Sequence, residues 1–296
     1  MRKILLGALI ILLIVFVAFS VVPYLIYIPG YEFDPENKPY PESKYINVGD
    51  VHIHYREWLE VDEGEFVNGK VLFVHGFYGS TFSFDKNYQN LVQRGFHVIS
   101  IDLPGYGFSS KYLESDYSRD GMAYIVSDFM DNIDNQNNRS GNLPWNLIGH
   151  SMGAGIILKV AENKTNIGSL ILISPSLQNQ NNAISYFTFY PPVKRWVSVL
   201  AQYYYFRYNR VSGLLESAYG RRASDEEIRA YLEPMELPGS ALVAGEIVDY
   251  RGGGEIYFLK KKFPHNNTLW IKRYLGTRKL NSRSEFQIKI FKNPNY

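Results

Sequence analysis

Apolar residues fall along this chain in three regimes. Ile4 to Val22 is one run broken only by Gly7 and Ser20. As a helix, 19 residues reach about 28 Å, close to the hydrocarbon thickness of a bilayer. From Tyr45 to Ile173 the runs are short: Tyr45–Val48, Val51–Trp58, Val71–Val74, His97–Ile101, Trp145–Ile148 and Leu170–Ile173. The last four are largely apolar, and the helix-length stretches Phe84–Arg94, Ser118–Ile133 and Ala154–Asn163 separate them. Strands apolar on both faces and alternating with helices predict a mostly parallel, doubly wound sheet covered on both sides. The first two runs flank a Gly49-Asp50 turn and predict a hairpin whose second strand, by its alternation, is half exposed. After Ser176 the alternation stops. Tyr186-Phe187, Phe189-Tyr190, Trp196, Tyr203 to Phe206 and a charged run at Ser224–Leu232 predict a helical insertion. A helix at Ala241–Asp249 and a strand at Thr268–Tyr274 then return the chain to the sheet.

The chain divides on this reading into an N-terminal membrane anchor (1–28), a linker rich in Pro, Glu, Asp and Tyr (29–44), a first part of the core (45–176), a helical cap (177–240) and an incomplete return to the core with a basic tail (241–296). Arg2 and Lys3 precede the long apolar run, so an uncleaved span leaves the remainder on the non-cytoplasmic side. The rival reading is a cleaved signal peptide, with Ala18 and Ser20 meeting a small-residue cleavage rule. The length of the run, with Tyr24 and Tyr27 placed as an interfacial belt, favours the anchor.

Composition narrows the chemistry. With no cysteine there are no disulfides, thiolate nucleophiles or Cys-ligated zinc. The net charge of +2 conceals ten Lys or Arg and one acid, Glu285, between Lys260 and Tyr296; the other 21 basic and 28 acidic residues sum to −7. That tail reads as a solvated or aberrant terminus, and no nucleic-acid partner is implied. His52 and His54 share one strand face but lack a third ligand, so they read as a solvated face and no metal is expected.

Three glycine-rich turns follow predicted strands in order: His75-Gly76-Phe77-Tyr78-Gly79-Ser80, Asp102-Leu103-Pro104-Gly105-Tyr106-Gly107 and Gly149-His150-Ser151-Met152-Gly153. In a parallel sheet the strand ends they follow share one rim, where sites form. The third is a G-x-S-x-G between a strand and a helix, a turn tight enough to strain the serine and present its hydroxyl. From Val71 to Asp249 the chain resembles the α/β-hydrolase family, in its capped esterase-like and C–C-hydrolase-like members. Tyr231-Leu232-Glu233-Pro234 resembles the segment that closes the cap in such proteins. The resemblance implies Ser151 as nucleophile, the backbone N–H groups of Phe77 and Met152 as the oxyanion hole, His150 as a packing residue, and Asp102 tying down its own loop. It implies a serine hydrolase acting on an ester or similar acyl bond, with a small apolar or aromatic acyl substrate under the cap and no cofactor. An elbow serine argues against a haloalkane dehalogenase, whose branch carries aspartate there.

The resemblance breaks at the acid and the base. The family order is serine, acid, histidine. Lys279 stands where the acid is expected in the turn Leu275–Lys279, Ser174-Pro175-Ser176-Leu177 holds no carboxylate, and Glu285 is the one acid further on. No histidine follows Thr268; His265 enters the expected strand at the wrong end, and His75 belongs to its own turn. Acid and base are therefore unknown. The expectation is a frame change near Leu269, with the missing residues encoded in another frame. The alternatives are an inactive ligand-binding relative or an acid and base in unfamiliar places.

Overall fold

The computed structural model describes residues 1–34, 36–60, 67–136, 143–176, 187–248 and 288–292. Seven strands form one sheet in the order β1-β2-β4-β3-β5-β6-β7: β1 (Ser43–Val48), β2 (Val51–Trp58), β3 (Gly69–Val74), β4 (Phe96–Ile101), β5 (Trp145–His150), β6 (Ile167–Ile173) and β7 (Ile288–Lys292). The four central strands β4, β3, β5 and β6 run parallel, and antiparallel neighbours flank them on both sides.

Alternate residues of those central strands enter two separate cores. Leu72, Val74, Ile99, Ile101, Leu147, Leu170 and Leu172 join one, under α3 (Arg119–Gln136) and α4 (Met152–Asn163). Val71, Phe73, Val98 and Ile148 join the other, beside Phe84 and the short helix α2 (Tyr88–Val92). This is the two-sided burial that the continuous apolar runs require. The segment expected as a helix over Phe84–Arg94 is shorter, a 3₁₀ turn at Thr81–Phe84 followed by α2.

One expectation for the strands is corrected, and one strand appears that was not expected. β2 is mostly buried rather than half exposed, because it pairs with β4 on one side and β1 on the other and its polar residues are matched from within. The strand beside β6 is Ile288–Lys292 and runs antiparallel, with Ile171 opposite Ile290. Thr268–Tyr274, expected as the next strand of the sheet, lies outside the described residues. The antiparallel strand covers the edge that β6 would otherwise leave unpaired.

Helices fill 191–247: α5 (Pro191–Leu200), extended by a π-helical turn at Ala201–Tyr205, α6 (Tyr208–Tyr219), α7 (Asp225–Glu236) and α8 (Ser240–Ile247). α7 starts on a capping box, Ser224 Oγ accepting from Glu227 N–H and the Glu227 carboxylate accepting from Ser224 N–H. α5 packs on α8, and α7 joins α6 through Val211, Leu215, Ile228 and Leu232. The N-terminal helix α1 (Arg2–Leu25) is long and apolar enough to cross a membrane.

Candidate active site

Ser151 closes β5 and opens α4 at φ 51° and ψ −112°, a backbone region that L residues rarely occupy. The local packing explains the flanking glycines. A Cβ on Gly153 would lie 2.3 Å from the Val74 carbonyl oxygen, and one on Gly149 would lie 2.7 Å from the backbone of Ala154. Strand and helix pass so closely that neither position has room for a side chain. Main-chain bonds fix the serine from both sides: Ser151 N–H donates to Ile173 O at 2.9 Å, and Ser176 N–H donates to Ser151 O at 3.1 Å. The turn after β6 thus adjoins the elbow.

The other two glycine turns meet the elbow on the same rim. Gly76 abuts it, since a Cβ there would stand 2.9 Å from His150 Nδ1 and 3.2 Å from Ser151 Cβ. Phe77 follows Gly76 and Met152 follows Ser151 in the two turns that touch. Met152 is the first residue of α4, where an N–H has no intrahelical acceptor. The Tyr106 hydroxyl donates to Met152 Sδ at 3.5 Å, bringing in the third turn.

His75 holds the turns together. Its Nδ1–H donates to Gly76 O at 2.7 Å, and its Nε2 accepts from Leu103 N–H at 3.0 Å. Both nitrogens are committed, and complete burial holds its pKa below the usual histidine value. Asp102 anchors the same region. Its carboxylate accepts from Thr81 N–H at 2.6 Å, Phe108 N–H at 2.8 Å and His54 Nδ1–H at 2.7 Å. Burial alone would raise the pKa of Asp102; the facing His54 and the donated N–H outweigh it, and the acid is held below its ordinary value.

His54 corrects the expectation of a solvated strand face. It is fully buried between Asp102 and Ser43, with Nε2 2.8 Å from the Ser43 hydroxyl. His52 stacks on Phe33 at 3.8 Å and bonds Asn47 at 2.6 Å. Among the described residues no three His, Asp or Glu side chains gather as a metal site. A buried residue without a sequence signal is Lys111, whose ammonium donates to Gly107 O and Ser109 O, each at 2.9 Å; burial lowers its pKa to about 7.

Over this rim lies a largely apolar cavity of about 620 Å³. Gly76, Phe77, Tyr78 and His150 form its floor, and Val197, Phe206, Leu214, Leu215 and Tyr231 are among the cap residues that roof it. The Tyr231 hydroxyl reaches Ser83 Oγ at 3.2 Å, tying roof to floor. His150, expected as a packing residue, faces this cavity, and burial depresses its pKa. Of the positions considered for an acid or base, His265, Lys279 and Glu285 lie outside the described residues.

A parallel sheet with its glycine turns, a strained elbow serine and a helical roof defines a class of protein, and comparison agrees. A family model for the alpha/beta hydrolase fold matches residues 70–224, and the chain belongs to the alpha/beta hydrolase family. The uncharacterized hydrolase YugF of Bacillus subtilis strain 168 is 28% identical over 171 residues, 55% of this chain and 57% of that protein. The lysophosphatidylserine lipase ABHD12 of Xenopus tropicalis is 33% identical over 122 residues, 39% of this chain and 30% of that one. The matches thus span 57% and 30% of these curated relatives' lengths. In fold, a probable hydrolytic enzyme from Pseudomonas aeruginosa PAO1 superposes with a TM-score of 0.53 at 17% identity, over 79% of this chain and 74% of that one.

Proposed function

We propose that this chain is a membrane-anchored serine hydrolase that cleaves an ester or similar acyl bond through an acyl-enzyme on Ser151. The observation that carries the reading is the elbow itself, a non-glycine residue at φ 51° between two glycines that have no room for a side chain. Strain of this kind costs about 1–3 kcal/mol and persists where geometry is put to use. The Phe77 and Met152 N–H groups serve as the oxyanion hole, each such donor being worth about 3 kcal/mol to the transition state. The apolar cavity lined by Phe77 and His150 suits the hydrocarbon part of an acyl substrate. A lysophosphatidylserine lipase among the relatives supports a lipid ester within that class. α1 holds the protein in the membrane, with the hydrolase portion on the non-cytoplasmic side.

A second reading has its own observation. His75 has both ring nitrogens engaged away from Ser151, and His97 Nε2 bonds Glu57 at 2.6 Å. His54 is likewise committed to Asp102 and Ser43. A serine without a base is a poor nucleophile, and such a chain would bind a ligand under the cap without turning it over. A fluorophosphonate probe separates the two. Labelling of the native chain that disappears in Ser151→Ala supports the hydrolase, and a native chain that stays unlabelled while binding fatty acid supports the second reading.

A further inference from the structure

We propose that the aromatic face of the cap is a membrane-docking surface, seated in the same bilayer that α1 crosses, so that the cavity opens toward lipid. The proposal rests on the reading of α1 as a membrane span. Counting about 20 residues of hydrocarbon thickness from Ile4 places the far boundary near Pro23. At 1.5 Å per residue, Ser20 then lies about 5 Å below that boundary and Phe16 about 10 Å.

The start of α5 is attached to those same residues. Tyr190 stacks on Phe16 with ring centroids 6.0 Å apart and shares a hydrogen bond of 2.6 Å with Ser20. Trp196 stacks on Phe19 at 5.9 Å and donates its indole N–H to Phe19 O at 2.9 Å. The Arg195 guanidinium donates to the carbonyls of Pro23 and Ile26 at 3.1 and 2.8 Å, satisfying acceptors that the end of a helix leaves open. With α1 in the bilayer, these contacts leave the start of the cap nowhere to go but the interface. Trp, Tyr and Arg are also the residues that settle there.

The rest of the face is built to match. Phe189, next to Tyr190, is 81% exposed and Leu214 is 65% exposed, and Phe187, Leu200, Tyr203 and Tyr204 are exposed as well. Large apolar side chains left in water in such number on one helical segment mark an interaction surface. Tyr205 and Leu214 are both exposed and line the cavity, so the docked face and the rim of the cavity share residues. An acyl chain would then enter sideways from the lipid without crossing water.

The absence of cysteine allows a direct test on the full chain. Phe189→Cys and Leu214→Cys are labelled with an environment-sensitive nitrobenzoxadiazole dye and placed in vesicles of phosphatidylcholine and phosphatidylserine. Leu12→Cys reports on the span, and Tyr124→Cys on exposed α3 reports on water. The expected result is a blue shift and loss of most emission to acyl-chain spin-labelled lipid at positions 12, 189 and 214, with no loss at 124. Quenching at 12 alone would overturn the docking proposal and leave the anchor standing. Absence of quenching at all four positions would overturn both. All four positions are already exposed, so the substitutions remove no core contact.

Discussion

Ser151 carries a conformational cost that its neighbours do not relieve. At φ 51° and ψ −112° the Cβ of any L residue is crowded, and the bonds to Ile173 O and from Ser176 N–H hold the backbone there regardless of side chain. Removing the hydroxyl alone therefore changes little in stability, whereas removing Cβ releases the strain. Ser151→Gly should unfold in denaturant with a free energy about 1 kcal/mol higher than Ser151→Ala. Equal stability of the two variants would mean that the elbow is unstrained and would weaken the case for Ser151 as nucleophile. The same scale separates what the residues announce from what they conceal. Ser151 and its glycines are readable because the clash that demands them is local, between β5 and the start of α4. His54 is not. Its burial depends on Asp102, 48 positions away, and that pairing exists only once β2 lies against β4.

Elements meet in this molecule through close contacts that sequence patterning does not record. The four central strands were legible because both faces of each are apolar, α3 and α4 because helix-length stretches separate those strands, and α7 because a charged run follows the aromatic segment. The antiparallel β7 was not, since a brief alternation at Phe286–Phe291 carries no information about direction or partner. Nor was the α5–α8 contact, where a glycine in α8 does the work of a groove. A Cβ at Gly245 would fall 2.5 Å from Ser198 Oγ and 2.6 Å from the Lys194 carbonyl of α5. Gly245→Leu should push α5 away at a cost of about 1–3 kcal/mol, a loss read as a lower thermal midpoint. It should also disturb the cavity, to which Val197 of α5 and Ala244 of α8 both contribute. Gly213→Ala in α6 is the control. Its Cβ would meet nothing within 4 Å, so it should stabilise by about 0.5–1 kcal/mol through helix propensity. If both changes lowered the midpoint equally, the α5–α8 contact would not be the reason.

At the scale of the whole molecule, α1 and the cap act as one unit resting on the sheet. α1 packs chiefly on α5, while the sheet cores are completed by α2, α3, α4 and α8. Four cap side chains bond to α1 and the segment after it: Tyr190 to Ser20, Arg195 to Pro23 and Ile26, Trp196 to Phe19, and Tyr203 to Tyr27 at 2.6 Å. Deleting residues 1–27 removes every one of these partners and keeps Ile28, which is buried against Val199, Ala201 and Phe206. At about 0.5 kcal/mol net for each of these five half-exposed hydrogen bonds, the cap should lose about 2.5 kcal/mol of its local stability. Since 1.4 kcal/mol is tenfold, local opening should rise about sixtyfold. Limited proteolysis under native conditions reads this directly, because cleavage tracks the open population when opening and closing are fast. Cuts between Phe187 and Tyr208 should accelerate to that extent, while cuts within β3, β4 and β5 should keep their rate. An unchanged rate in the cap would show that α8 alone holds α5 in place and that α1 adds no order to it. Uniform acceleration across the chain would show instead that α1 supports the entire fold.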